Sequence, residues 1–384
     1  MGSEAIKYKE FEIWYNRFSR GEFDLDYDIR SEPKTRDFCQ LPTCVIEKVL
    51  EKLCYIEQLT VRKVCRDIKS VVDSMRCSLK SIEMTWHSDY IECRFDDQLV
   101  VYSRTKYIRY NVDNVIRVFD KDYGKLALQD WKFPMRNRKL RLDFLKIECK
   151  EPNNRMKKEK KVKKLIEIFR ELIGALESIG SRVHVEKLQI DTFRPDFNDV
   201  EYILNCFQPG YLKSIAIPGF YLKREELNVE RPTSPAPGVE PSEAHERAKT
   251  NYRRACFLKD DIYEITELEQ WKEAEELHLK YNWDYFYDED LIHFKRFHFT
   301  DCILDRERLI HLREIFSEST NFELCTITSP NFQTCSEYLE SFCEKVESGE
   351  EVIYRFKILE DSRKILEFKL DYNQRKIIIS KKSL

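Results

Sequence analysis

Short segments in which apolar and polar residues alternate recur between residues 142 and 330 of this 384-residue chain. Alternation with a period of two places every second side chain on the same face of a β-strand. The segments are LDFLKIEC (142–149), VEKLQIDTF (185–193), LKSIAIPGF (212–220), AEELHLKYN (274–282), FKRFHFTDC (294–302) and FELCTITSP (322–330). Between some of them, over 165–176 and 309–316, the apolar residues follow the spacing of a helix. The sequence therefore constrains this region to short strands that alternate with helices.

The apolar positions of the six segments come in pairs, two residues apart. The residues predicted to point inward are Leu145, Ile147, Leu188, Ile190, Ile215, Ile217, Leu277, Leu279, Phe297, Phe299, Cys325 and Ile327. A strand and a helix that recur at roughly 20–30-residue spacing are typical of a leucine-rich-repeat-like α/β solenoid. Because the spacing here is irregular, an ordinary α/β domain is the alternative.

Antiparallel strands are predicted at both ends of this region. The pair Asp96-Asp97 separates two alternating runs, which predicts a hairpin over 89–103. The closing stretch 354–380 also alternates around polar turns. Residues 228–250 are rich in proline, which sustains neither helix nor sheet, and they predict an exposed flexible insertion.

A different pattern, with the 3.6-residue period of a helix, occupies residues 41–73. Pro42 suits a first helical turn, because its missing N–H group would have no partner there. The apolar positions that follow are Val45, Ile46, Val49, Leu50, Leu53, Leu59, Val61, Val64, Cys65, Ile68, Val71 and Val72. Helices this short need tertiary packing to be stable, so the segment predicts a small helical cluster. Residues 11–18 predict a separate helix that ends near Gly21.

The composition argues against several functional classes. The formal net charge is −3, so we expect no global electrostatic attraction to nucleic acid or to anionic lipid, which argues against nucleic acid as a partner and predicts no membrane partner. The sequence contains neither a G-x-G-x-x-G nor a P-loop motif, and none of its 13 cysteines forms a C-x-x-C pair, so we predict no cofactor. We find no signal-peptide pattern and no membrane-spanning apolar run, which predicts a cytoplasmic and/or nuclear protein with reduced cysteines. No nucleophile and base are recognisable together, so we expect no catalysis.

The 41–73 segment resembles the F-box. The matching residues are Leu41-Pro42, then VIEKVLEKL (45–53), then LTVRKVCRDIKSVVD (59–73), with Ile68 where the F-box usually has an aromatic residue. The resemblance implies that the segment docks a Skp-type adaptor and, through it, a cullin ligase core. The residues that it implies for adaptor binding are Leu41, Pro42, Val45, Ile46, Val49, Leu50, Leu53, Leu59, Val64 and Ile68.

The remainder of the chain resembles the FTH-type domain that follows the F-box in a nematode-expanded group of F-box proteins. KSIEMTW (80–86), YIECRFDDQLVVYS (90–103) and YRFKILEDSRKILEFKLDYN (354–373) carry this resemblance. We therefore expect an α+β protein, in which a short F-box helical cluster precedes an irregular leucine-rich-repeat-like α/β solenoid with antiparallel strands at its ends. The implied function is recruitment of an unknown protein substrate to an SCF-type ubiquitin ligase, for proteasomal degradation.

Two alternatives to this function stay open. WYNRFSRGEFDLDYDIRSEP (14–33) is similar to the end of the helix-turn-helix region of mariner-type transposases, and RMKKEKKVKK (155–164) is strongly basic. Together they keep a transposase-derived DNA-binding protein as one alternative. The other is a repeat-type protein-interaction module that does not assemble into a ligase.

Side chains that alternate with the inward positions should share one solvent-facing surface. The predicted substrate-binding residues are Lys146, Gln189, Asp191, His278, Lys280, His298, Thr300, Thr326 and Thr328. Their mixed chemistry favours a protein target. We predict no metal site at His278 and His298, since no cysteine or carboxylate is recognised at ligand spacing beside them.

These patterns predict four regions along the chain. A helix-turn-helix remnant and linker occupy 1–38, and the F-box occupies 39–76. An antiparallel strand region over 77–135 leads into the FTH-like repeat domain over 136–384, which contains the insertion.

Overall fold

The computed structural model describes the greater part of the chain, in two compact units, Met1–Met75 and Arg76–Leu384. The described residues are 8–31, 38, 41–75, 77–87, 89–105, 115–150, 167, 170–179, 183–192, 197–217, 262–280, 286–348, 351–359 and 363–383. The predicted insertion 228–250 and the basic run 155–164 lie outside these residues.

Helices make up the described part of the first unit. They are α1 Tyr8–Ser19, α2 Thr43–Leu50, α3 Tyr55–Val61 and α4 Arg66–Ser74. Gly21, with φ of +82°, lies directly beyond α1 in the left-handed conformation that glycine adopts readily. Its N–H donates to the carbonyl of Phe18 at 3.0 Å, and the N–H of Glu22 donates to that of Arg17 at 2.9 Å. The predicted helix and its stop are confirmed.

Two cysteines begin the later helices of this unit. The Cys54 Sγ accepts from the N–H of Glu57 at 3.4 Å, and the Glu57 carboxylate accepts from the N–H of Cys54 at 2.9 Å. This reciprocal pair satisfies two N–H groups that have no partner inside α3. The Sγ of Cys65 likewise accepts from the N–H of Ile68 at the start of α4, at 3.4 Å.

Within the described residues, the strands of the second unit form one sheet of 14 strands. The strands are β1 Ser81–Trp86, β2 Tyr90–Phe95, β3 Gln98–Ser103, β4 Ile116–Phe119, β5 Arg141–Cys149, β6 His184–Thr192, β7 Ser214–Ile217, β8 Glu276–Lys280, β9 Arg296–Thr300, β10 Leu324–Thr328, β11 Glu344–Ser348, β12 Glu351–Lys357, β13 Lys364–Asp371 and β14 Lys376–Ser383. Their order across the sheet is β11-β12-β13-β14-β10-β9-β8-β7-β6-β5-β1-β2-β3-β4.

The strands from β5 to β10 are parallel, and each strand from β6 to β10 pairs with the strand that precedes it along the chain. Their apolar residues align in register across the sheet. One inner row joins Leu145, Leu188, Ile215, Leu277, Phe297 and Cys325 through successive register partners. None of the twelve residues predicted to point inward is more than 3% exposed, which confirms the predicted pairs.

Helices connect the strands of the parallel run. The helices of this unit are α5 Tyr123–Met135, α6 over 170–177, α7 Phe197–Asn205, α8 over 262–266, α9 Glu269–Lys272, α10 Asp288–Leu291, α11 Arg306–Glu318 and α12 Cys335–Glu340. Phe316 of α11 packs on Phe297 of β9, with ring centroids 5.2 Å apart, and stacks on Phe322 at 4.0 Å. Helix α11 thus covers the inner row at β9.

Antiparallel pairs flank the parallel run on both sides, as predicted, but the edge strand β4 departs from the prediction because it is parallel to β3. β1 is parallel to β5 and antiparallel to β2, while β14 is antiparallel to β10 and begins the sequence β14-β13-β12-β11. Asp96 turns the chain between β2 and β3 with φ of +51°. Its carboxylate also accepts from the N–H groups of Lys80 and Ser81, at 2.9 and 2.7 Å. The predicted hairpin over 89–103 is confirmed.

The inner row gives a first prediction about stability. We expect Leu277→Ala to lower the free energy of unfolding by about 2–5 kcal/mol, because it opens a cavity at a fully buried position of β8. Urea unfolding followed by tryptophan fluorescence measures the change. The exposed Glu318→Ala on α11 is the control and should stay within about 0.5 kcal/mol of the wild type. Equal effects of the two substitutions would contradict this assignment of the row.

The eleven cysteines within the described residues are all free thiols. Burial raises the pKa of Cys149 and of Cys343 to about 12, and that of Cys335 to about 11. The pKa values of Cys93 and Cys325 are raised well above the ordinary value for the same reason. These thiols pack as small apolar side chains.

Alkylation should therefore separate the cysteines. At pH 8 we expect iodoacetamide to modify the exposed Cys44, while Cys149 and Cys325 react only after denaturation, because the thiolate is the reactive form. Mass spectrometry of peptides at successive times measures the rates. Modification of Cys149 in the folded protein as fast as that of Cys44 would show that the burial of Cys149 is wrong.

Candidate functional site

The ten residues predicted for adaptor binding do not share one environment. Ile46, Leu50, Leu59 and Ile68 are buried, each with at most 8% of its surface exposed. Leu41 and Leu53 are half-buried. Pro42, Val45, Val49 and Val64 are exposed. The helical pattern thus contains both an internal core and an outward apolar face.

The buried members hold the short helices together. Ile46 and Leu50 of α2 pack with Ile68 and Val72 of α4 in one apolar cluster. In this arrangement they shape the helical cluster and cannot contact a partner themselves. Their burial also explains why short helices are stable here.

Polar contacts fix the angle between these helices. The Gln58 side chain on α3 donates to the carbonyls of Leu50 and Leu53, both at 3.0 Å. The Arg62 guanidinium, just beyond α3, makes two hydrogen bonds to the Asp73 carboxylate on α4, at 2.6 and 3.0 Å. Such bidentate pairs add geometric definition as well as energy.

The exposed members form what we call the α2 patch, defined by Pro42, Val45 and Val49. Residues three and four apart lie on one face of a helix, so the three side chains are neighbours. Val45 and Val49 are 40% and 43% exposed, and Val64, in the turn before α4, is 70% exposed. Contiguous exposed apolar residues mark surfaces that bind another protein.

The nine residues predicted for substrate binding lie on the outer face of the parallel strands. What we call the histidine row consists of Lys146, Gln189, Ala216, His278, His298 and Thr326, which are register partners on β5 to β10. Two residues further along the strands lie Glu148, Asp191, Lys280, Thr300 and Thr328, which we call the threonine row. The structure therefore brings all nine predicted residues together on one surface.

A recess of about 320 Å³ opens in this surface around Ala216. Ala216 has only a methyl group where its row neighbours, Gln189 and His278, have long or bulky side chains. Six of the nine predicted residues line the recess: Gln189, Asp191, His278, Lys280, His298 and Thr300. The small residue in the row thus creates the concave part of the surface.

At the β5 end of the surface, a lysine and a glutamate form an ion pair. The Lys146 ammonium lies 3.0 Å from the Glu148 carboxylate, which also accepts from the Thr85 hydroxyl at 3.1 Å. Burial alone would raise the pKa of Glu148, but the hydrogen bond and charge of Lys146 lower it below its usual value. The carboxylate is therefore ionised and paired.

The centre of the surface contains a carboxylate that sequence reasoning missed. The Glu276 carboxylate accepts from His298 Nε2 at 2.8 Å and lies 3.6 Å from His278 Nε2. The expectation that no carboxylate lies beside the two histidines is therefore wrong. The signal was available, since Glu276 precedes His278 by two residues and so shares its face of the strand.

Burial and neighbouring charges shift the pKa values of His278 and Glu276. Burial lowers the pKa of His278 to about 4, and repulsion from His298 acts in the same direction. Burial would raise the pKa of Glu276, but hydrogen bonding from His298 and the charge of His278 lower it. At neutral pH the His278 imidazole is neutral and the Glu276 carboxylate is ionised.

Two regions of the chain match known domain families. Residues 38–80 match the F-box domain, and residues 254–342 match the FTH domain. The chain therefore contains an F-box domain, which covers α2, α3 and α4, and an FTH domain, which includes β8, β9 and β10. The cluster of Glu276, His278 and His298 falls inside the FTH match.

The chain is also similar to a curated relative whose name contains the F-box. The F-box A protein 224 of Caenorhabditis elegans is 30% identical to this chain over 104 residues. These residues are 27% of this chain and 27% of the relative, so the match spans about a quarter of the relative's length.

No helix among the described residues is long and apolar enough to cross a membrane.

Proposed function

We propose that this protein is a substrate-recruiting subunit of an SCF-type ubiquitin ligase. The observation that carries the proposal is the F-box match over 38–80, which coincides with a helical cluster that exposes the α2 patch. In this proposal the helical cluster docks a Skp-type adaptor, which bridges to the cullin ligase core. The ubiquitin-transfer chemistry belongs to other subunits, and this chain supplies binding surfaces.

Hydrophobic burial would supply the adaptor affinity. Apolar surface contributes about 25 cal/mol per Å² removed from water, before the loss of translational and rotational freedom is subtracted. The side chains of the α2 patch, Pro42, Val45 and Val49, are exposed. Ile46 and Leu50 pack in the buried cluster and hold α2 in place. We therefore divide the predicted adaptor site into an exposed contact set and a buried supporting set.

We further propose that the parallel run is a leucine-rich-repeat-like solenoid. Three observations support this: the strands β5 to β10 pair in chain order, helices lie between them, and the apolar pairs recur in register. Nearest-neighbour stacking of this kind is the defining property of repeat proteins. The antiparallel strands then close the two ends of the run.

The histidine and threonine rows are the proposed target-binding surface. Their in-register side chains mix ammonium, carboxylate, amide, imidazole and hydroxyl groups, and the recess at Ala216 gives a place for a projecting side chain. Mixed polar surfaces of this kind fit a protein partner better than a single-sign polymer. The target of this surface is proposed to be a folded protein or a segment of one.

Adaptor docking can be tested with exposed residues alone. We expect Val45→Asp/Val49→Asp to weaken adaptor binding at least about tenfold, because it places charge in an apolar contact. A pull-down with purified Skp-type adaptor and titration calorimetry measure the effect. Thr43→Asp/Cys44→Asp is the matched control, since it adds the same two carboxylates at other exposed positions of α2.

The controls make the docking result decisive. Circular dichroism should be the same for all three proteins, because the substituted side chains are exposed. Equal adaptor binding by the wild type and Val45→Asp/Val49→Asp would refute the proposed docking, and would favour a module that works outside a ligase.

Target binding is tested on the outer rows. We expect Gln189→Lys/Thr300→Lys to lower the recovery of specific co-purifying proteins roughly tenfold, equivalent to about 1.4 kcal/mol, without changing adaptor binding. Affinity purification with quantitative mass spectrometry measures it. Glu318→Lys on α11 changes the net charge by the same amount on an exposed helix position and is the control. An unchanged set of partners in the double variant would exclude this surface as the reader.

A further inference from the structure

The outer face of the sheet brings two imidazoles and a carboxylate into one cluster. His278 and His298 are register partners, with ring centroids 4.2 Å apart and ring planes inclined by 17°. Glu276 Oε1 lies 2.8 Å from His298 Nε2 and 3.6 Å from His278 Nε2. One ligand atom from each residue lies within 4.8 Å of the other two.

These spacings suit a tetrahedral metal ion. Zn²⁺ binds nitrogen at about 2.0–2.1 Å and carboxylate oxygen at about 2.0–2.2 Å, which places two ligand atoms roughly 3.3 Å apart. The two distances to Glu276 Oε1 lie on either side of this value. The nearly parallel rings must tilt for their nitrogens to converge. The His278 side chain is 38% exposed and has room to turn.

The surrounding residues orient the ligands in the way that metal sites require. His298 Nδ1 lies 2.7 Å from the Thr326 hydroxyl. When an ion binds, the ring proton that Nε2 donates to Glu276 moves to Nδ1, where the Thr326 hydroxyl accepts it, and Nε2 is left for the ion. Ser214, which is 6% exposed, is the register partner of Glu276 on the neighbouring strand β7. Outer hydrogen bonds of this type fix the tautomer and the direction of metal ligands.

One neighbouring cation competes for the carboxylate. Arg296 Nε lies 3.8 Å from Glu276 Oε1, but the same guanidinium is 3.1 Å from Glu323 Oε2. A metal ion can replace the longer contact, while the shorter one keeps Arg296 paired. Arg296 therefore does not prevent the Glu276 carboxylate from binding a metal ion.

From this geometry we propose that Glu276, His278 and His298 bind a divalent transition-metal ion of the Zn²⁺ class. Imidazole nitrogens favour Zn²⁺, Co²⁺ or Ni²⁺ over Mg²⁺ and Ca²⁺, which prefer oxygen ligands. Three protein ligands leave one tetrahedral position open. That position is taken by water or by a carboxylate or imidazole of a bound protein. The last role rests on the proposed target binding, whereas binding of the ion itself does not.

Titration of the full chain with Co²⁺ tests the site. Tetrahedral Co²⁺ absorbs in the visible range, and a thiolate ligand adds a charge-transfer band that nitrogen and oxygen ligands lack. We expect one equivalent of Co²⁺ bound without the thiolate band, displaced by Zn²⁺. His278→Ala and His298→Ala should each weaken binding at least about tenfold, and Thr326→Val about 10–100-fold as an orienting residue.

A matched control lies elsewhere in the same domain. His311 Nε2 is 2.7 Å from the Asp288 carboxylate. This histidine–carboxylate pair belongs to no group of three potential metal ligands among the described residues. His311→Ala should leave Co²⁺ binding unchanged, and circular dichroism should confirm that every variant is folded.

The outcomes separate the metal site from the ligase proposal. A wild-type protein that binds no Co²⁺, that binds it through thiolates, or that loses it equally in His311→Ala would overturn the site and leave a hydrogen-bonded Glu276–His298–Thr326 network. Adaptor binding involves residues of the other unit and is measured independently. If the site holds while the adaptor does not bind, the metal site stands without the ligase proposal.

Discussion

The register of the parallel strands is the constraint on which both the core and the outer surface of the larger unit depend. Leu277 pairs with Phe297, and the next residues along, His278 and His298, pair with each other on the opposite face. A slip of one residue would exchange the two faces. The apolar rows therefore select the alignment, and the outer rows follow from it. The histidine cluster is a consequence of the same register that buries the core.

The strands were predictable because alternation is a local signal. The inward pairs, such as Ile215 and Ile217, follow from a period of two, and the Asp96-Asp97 turn follows from its place between two runs. The strand order at the two ends of the parallel run was not predictable. β1 lies beside β5 and β14 beside β10, across large separations in sequence. Such pairings depend on how whole layers pack, which no short window of sequence contains.

The helical cluster shows that the helical period alone does not predict which apolar residues are buried. Val45 and Ile46 are adjacent and equally apolar, yet Val45 is 40% exposed and Ile46 is 4% exposed. Consecutive residues point about 100° apart around a helix, so a broad apolar stripe contains both a packed and an exposed edge. Which edge is packed depends on the position of α4, whose Ile68 and Val72 cover one side of α2. The sequence predicted the stripe, and only the tertiary contacts divide it.

The same separation between faces keeps the proposed target-binding surface apart from the residues that stabilise the fold. Substitution in an inner row opens a cavity or crowds the helices that cover it, because interiors are closely packed. Substitution in an outer row alters charge, hydrogen bonding or the depth of the recess, and leaves the register intact. Ala216 illustrates this, since its methyl group sets the recess while its neighbours Ile215 and Ile217 are buried. On the proposed target-binding surface, side chains that face the target therefore alternate along each strand with side chains that stabilise the fold.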